Sequence, residues 1–130
     1  MVIVMRSTLT YCTIAFVLTL ISNGAKACDA SGRWSLIQSN GATVDLELHQ
    51  RGVVFGGTAY EPDIGTGRVS GSFQGDSLAF DVYWPNGSVG TYSGRISGDG
   101  YVRHGFTYDR RVPESRAGWR STTPLNCEEE

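Results

Sequence analysis

From residue 33 to residue 122 the chain is written in short runs of alternating apolar and polar residues, each closed by Gly, Asn, Asp or Pro. A period of two marks a β-strand with one buried face, and no stretch in this region carries the longer period of an amphipathic helix. The clearest run is 77–84, where Leu78, Phe80, Val82 and Trp84 share one face and Ala79, Asp81 and Tyr83 the other. Run 43–50 sets Val44, Leu46 and Leu48 against Asp45, Glu47 and His49. Further strands are expected at 33–38, 53–60, 68–74, 88–96, 101–109 and 117–122. Tight turns separate most of them, Pro85-Asn86-Gly87 being the strongest hairpin signal. Longer loops are expected at 61–67 and 110–116, each holding a proline.

Eight strands joined mainly by tight turns predict an all-β fold: an eight-stranded antiparallel up-and-down barrel. Closure removes the two exposed edges that an open meander would leave. The glycines within the runs, such as Gly56, Gly71, Gly94 and Gly105, suit the bends and close approaches of a small barrel. A β-sandwich is the alternative, with one of the two longer loops as its crossover.

The ends of the chain add a compartment and a cross-link. Arg6 precedes a mainly apolar run at 9–21, and the following SNGAKA ends in Ala25-Lys26-Ala27. That order predicts a secretory signal peptide, residues 1–27, removed on export to a secreted or periplasmic location. The apolar run is shorter than the roughly 20 residues that cross a bilayer, so no membrane span is expected. Ala25-Lys26-Ala27 lacks the leucine of a bacterial lipobox, so a lipid anchor on Cys28 is not expected. The remaining chain, about 100 residues, has the length of one domain. The domain is expected at 28–127, with 128–130 as an acidic tail. Cys12 leaves with the signal peptide, and Cys28 and Cys127 remain, one at each end. An isolated pair in an exported chain reads as a disulfide. The first and last strands of a barrel are neighbours, so such a bond between the N- and C-terminal ends would close it.

Gly32-Arg33-Trp34 opens the first run, and a Gly-x-Trp there resembles the calycin barrels: lipocalins, avidins and some bacterial metalloprotease inhibitors. In those families the tryptophan closes one barrel end against a basic residue near the last strand, a part the resemblance gives to Arg120. Asp81-Val82-Tyr83-Trp84, Gly90-Thr91-Tyr92-Ser93-Gly94 and Gly118-Trp119-Arg120-Ser121-Thr122 are most similar to avidin and streptavidin. Two departures bear on ligand chemistry. The avidin pattern has an Asn two residues after the first Trp, where this chain has Leu36, and a third-strand Tyr, where it has Thr58 or Ala59. Both are hydrogen-bond partners for the biotin ureido oxygen. Without them a buried ligand oxygen stays unpaired, so biotin binding is not expected.

No nucleophile, zinc or Cys–His motif is present, and no enzyme activity, cofactor or metal site is expected. His49 alternates with apolar neighbours and reads as solvated. His104 shares a face with Val102, Phe106 and Tyr108, the face expected to point inward. Asp45, Glu47 and Asp81 alternate with apolar residues in the same way and read as the wet outer face of a sheet. The chain has a formal net charge of −2 and loses the basic residues Arg6 and Lys26 with the signal peptide, which disfavours nucleic acid as a partner.

The aromatic residues are the best candidates for function. With the Leu78 face inward, Trp34, Phe80, Trp84, Tyr92, Phe106 and Trp119 are expected to converge at one barrel end. Such a set forms either a plug or a pocket wall. Ser88, in the hairpin after Trp84, and His104 complete the candidate ligand-binding set. The function expected is an exported binding module for a small molecule or glycan at that aromatic-lined end. The alternative is a protein-interaction role, such as a secreted protease inhibitor or an envelope-associated factor. Assembly into an oligomer is compatible with either.

Overall fold

The computed structural model describes residues 26–129, so the expected signal peptide up to residue 25, Cys12 and Glu130 lie outside the described residues. Ten strands follow one another: β1 (Lys26–Asp29), β2 (Gly32–Gln38), β3 (Thr43–Arg51), β4 (Val54–Glu61), β5 (Gly65–Gln74), β6 (Ser77–Tyr83), β7 (Val89–Arg95), β8 (Gly105–Asp109), β9 (Val112–Ser121) and β10 (Asn126–Glu129). Strands β2 to β9 pair in sequence order, every pair antiparallel, and β9 returns to β2 to close the barrel. The sandwich alternative is thereby excluded. Among the described residues no helix is long and apolar enough to cross a membrane.

The alternation of the sequence becomes the barrel wall. Val44, Leu46 and Leu48 of β3 are buried while Asp45, Glu47 and His49 are exposed, and Leu78, Phe80 and Val82 of β6 repeat the pattern. Leu36, Leu46, Leu48, Leu78, Val44, Val82 and Val102 are essentially removed from solvent. Each such side chain stabilises the fold by roughly 1.5–3 kcal/mol. Gly57 lies between Phe55 and Ala59 at φ +149°, where the backbone of β3 comes so close that a Cβ would overlap the Glu47 carbonyl oxygen.

Closure takes two forms. In the wall, the β2–β9 ladder pairs Leu36 with Ser121, Ile37 with Arg120 and Gln38 with Trp119. Outside the wall, β1 and β10 form their own two-stranded ribbon, in which Cys28 faces Cys127 and the disulfide joins them. Gln50 ties this ribbon to β3: its Oε1 accepts from the Ala30 amide at 2.7 Å and its Nε2 donates to the Cys28 carbonyl at 2.8 Å. β10 takes in Glu128 and Glu129 of the expected acidic tail, paired with Ala27 and Lys26 of the expected signal peptide.

Three segments depart from the sequence expectation. The 61–67 loop shrinks to 62–64, since β5 starts at Gly65. Residues 112–116, expected as loop, begin β9; they are exposed on both faces and so carry no alternation to read. The expected strand 101–109 is broken. Val102 makes an isolated bridge to Ile96, Arg103 and His104 are both exposed, and β8 begins at Gly105. Asp99 holds the Arg103 guanidinium through two hydrogen bonds, at 2.9 and 2.7 Å. Two successive outward residues shift the phase by one, and a one-residue slip turns every following side chain to the other face.

Candidate ligand cavity at the open end of the barrel

The strands alternate in direction, so the turns at 39–42, 62–64, 84–88 and 110–111 gather at one end. The opposite end carries the 96–104 segment and the β1–β10 ribbon. Leu125 and Cys28, the latter a member of the ribbon, are buried at that end and cap it.

From the capped end an aromatic column fills the interior. Phe55 packs against Phe73 and Phe80 with ring centroids 5.6 and 6.1 Å apart. Trp34 and Trp119 lie 6.5 Å apart, and Phe80 meets both edge-on. Tyr92 ends the column, stacked on Phe80 at 4.8 Å with the rings parallel to within 1°. Above Tyr92 the barrel opens into a cavity of about 410 Å³. Its wall includes Gln38, Glu61, Trp84, Ser88, Tyr92 and Thr107.

Some of the polar side chains of this cavity are buried and others stand at its exposed rim. Glu61, Ser88 and Thr107 are the three cavity members among the buried polar side chains. The Tyr92 hydroxyl donates to Gln38 Oε1 at 2.8 Å. Ser88 is held by its own hairpin: its amide and hydroxyl both donate to Asn86 Oδ1, at 3.0 and 2.7 Å. The indole of Trp34 donates to the Ala30 carbonyl at 3.1 Å and that of Trp119 to the Phe106 carbonyl at 3.2 Å. The indole N–H of Trp84 has no such partner among the described residues, although Trp84 is buried. A buried donor left without a protein partner is uncommon and points to hydration or a ligand.

Burial of the Tyr92 phenol pushes its pKa from 10.0 up to about 12; a hydrogen bond with Thr107 opposes the shift and the negative charge of Glu61 adds to it. The unfolded chain loses this proton near pH 10 while the native state holds it to about 12. In that window the native state binds more protons, so stability falls as pH rises. The loss amounts to roughly 2–3 kcal/mol across the window. Tyr92→Phe should remove this part of the alkaline decline, measured by urea unfolding at stepped pH. An unchanged decline in the variant would show that Tyr92 is not its source.

The eight candidate residues separate into three groups. Trp84, Ser88 and Tyr92 line the cavity. Trp34, Phe80 and Trp119 lie beneath it in the column. His104 and Phe106 are on the outer wall: His104 is exposed, and Phe106 packs against Tyr108 and beneath the Arg116 guanidinium, 4.9 Å from its ring centroid. The phase shift before β8 is the reason, since it turns Gly105 and Thr107 inward instead. Arg120 is exposed on the outer wall opposite Ile37 and does not cover Trp34, whose ring neighbours are Phe80 and Trp119, at 6.3 and 6.5 Å.

Gln38, Glu61 and Thr107 escaped the sequence reading. Gln38 has the parity of Trp34 and Leu36, and Glu61 that of Phe55 and Ala59, so alternation carried to the strand ends would have found both. Leu36 and Ala59 are fully buried and apolar, so the polar groups of this cavity sit at other positions than those of the avidin pattern. Among the described residues no three His, Cys, Asp or Glu side chains are grouped to hold a metal ion. The chain matches no known family model, no curated protein and no solved structure.

Proposed function

We propose that this chain is an exported, non-catalytic binding module that takes a small molecule, or the terminal residue of a glycan, in the cavity above Tyr92. The observation that carries this reading is the change in character along the barrel interior. An aromatic column fills the capped half, and in the other half the buried polar side chains of Glu61, Ser88 and Thr107 stand in the wall of about 410 Å³ of open space. Ligand cavities commonly occupy roughly 300–1,000 Å³ and combine an apolar floor with a few convergent polar groups. The mouths of small barrels are a usual place for them. The disulfide supports export, since such bonds persist in oxidising compartments. The closed eight-stranded barrel with its buried aromatic cluster is consistent with a calycin-like fold, and an avidin-like relationship is the narrower version of that likeness.

The inhibitor-like alternative has less support. It needs a free N-terminal segment to enter a protease, and Cys28 and Asp29, where the exported domain is expected to start, are paired with β10 and tethered by the disulfide.

The test is a thermal-shift screen of metabolites and mono- and disaccharides, followed by NMR of the indole N–H signals, with Trp84→Phe to assign Trp84. A ligand at about 100 times its Kd should stabilise the fold by roughly 2.7 kcal/mol. It should also move the Trp84 signal more than those of Trp34 and Trp119. Hits that leave Trp84 unmoved would place binding elsewhere and sink the reading.

A further inference from the structure

Resting on the cavity reading above, we infer that the ligand is a compact organic cation whose protonated amine, amidine or guanidinium group pairs with Glu61. Glu61 ends β4 with its side chain in the cavity wall and only 7% of the residue exposed. One carboxylate oxygen, Oε1, accepts from the Asp63 amide at 2.8 Å. The other oxygen has no hydrogen-bond partner among the described residues, and no ion pair there includes Glu61. Burying a carboxylate away from water is costly unless a cation and donors compensate it. The neighbouring side chains do not supply that cation. Tyr92, held neutral by burial, commits its hydroxyl to Gln38.

The side chains lining the cavity are mainly acidic: Asp63 and Asp109 join Glu61 against the guanidinium of Arg116, while Arg111 stands farther out in the 110–111 turn, beside Gly87. Arg116 sits over the Phe106 ring on the outer wall. A cleft lined mainly by one charge sign concentrates ligands of the opposite sign. Trp84 adds a second requirement. Its unpaired indole N–H asks for an acceptor or a polarizable group beside the cation. A charge-assisted hydrogen bond from a ligand N–H to Glu61 is about twice as strong as a neutral one, so charge should dominate selection.

Three probes of nearly one shape, benzamidine, benzamide and benzoate, vary the charge, benzamide and benzoate also offering Trp84 an acceptor oxygen that benzamidine lacks: all three are titrated into the full disulfide-bonded protein and followed by the Trp84 indole signal. The expected result is a Trp84 shift with benzamidine at about tenfold lower Kd than with benzamide, and weaker binding still of benzoate. Glu61→Gln should bring benzamidine and benzamide to similar affinity, and Glu61→Asp should keep part of the preference. If Glu61→Gln does not fold, the ranking of the three probes on the native protein decides the matter. Benzamide or benzoate binding as tightly as benzamidine, with Trp84 shifted, would overturn the cation inference and leave the cavity reading intact. If no probe shifts Trp84, the cation inference fails, and the metabolite and saccharide screen decides the cavity reading separately.

Discussion

Serine at both Cys28 and Cys127 is expected to lower the free energy of unfolding by about 3–4 kcal/mol, and the melting temperature of this one-domain protein by roughly 15–30 °C. The bond spans 99 residues of sequence, nearly the whole described chain. On the chain-entropy account, opening a loop of that length frees the unfolded state by up to about 4.7 kcal/mol. The native state loses less. The β2–β9 ladder closes the wall without the disulfide, so the variant should still fold as a barrel. What loosens is the β1–β10 ribbon, which keeps only the Cys28–Cys127 and Asp29–Asn126 pairs once the expected cleavage removes Lys26 and Ala27, because isolated two-stranded ribbons are marginal in water. Gln50 and the buried Ala30 keep a partial grip on it. Thermal melts with and without reductant separate the effects: the wild type should drop to the level of the double-serine variant, which should not respond. A difference below about 1 kcal/mol would mean that ribbon and wall already hold the ends together in the unfolded ensemble.

The barrel was legible in the sequence because each half-buried strand writes its own parity. Leu78, Phe80 and Val82 against Ala79 and Asp81 suffice to orient β6, and tight turns leave the chain little choice but to pair with its neighbour. The cysteines at 28 and 127 read correctly as a pair for the same reason that a meander closes. Legibility ends where parity breaks. At Arg103-His104 two successive residues face solvent, so the inward face expected for His104 and Phe106 went to Gly105 and Thr107. No composition rule marks that slip; the Asp99–Arg103 contact that accompanies it is a feature of the folded loop. The cavity was harder to read for a different reason. Its key residues are polar, and a polar residue at a strand end reads as a turn unless the parity of the strand is followed to its last residue. Glu61 falls in the expected 61–67 loop beside Pro62, yet it stands one inward step beyond Ala59.

Gly105→Ala should be among the most damaging single methyls in the inner wall, costing about 3 kcal/mol by overpacking, as measured by urea unfolding. The reason lies in the aromatic column. Gly105 opens β8 pointing inward, opposite Trp119 in the β8–β9 ladder, and the indole lies flat against its Cα. A Cβ there would overlap the ring, with the indole nitrogen and Cδ2 each only 2.5 Å away. The ring cannot step aside at low cost. Its N–H is bonded to the Phe106 carbonyl, and Trp34, Phe80 and Tyr92 pack around it. Gly118→Ala is the control on the neighbouring strand: its Cβ would meet only the Gly105 carbonyl oxygen, at 3.6 Å, and the change should fall within about 0.5 kcal/mol. The cause is then checked by relieving the clash from the other side. Trp119→Leu alone should cost roughly 3 kcal/mol for the lost aromatic volume. Combined with Gly105→Ala it should cost less than the two single changes together, by at least about 1 kcal/mol, because the new methyl fills space the indole has left. Strict additivity would place the damage in the backbone of β8 rather than in the Trp119 contact. The column would then have more freedom than its close packing implies, and Tyr92 would lose its role as a rigid floor to the cavity.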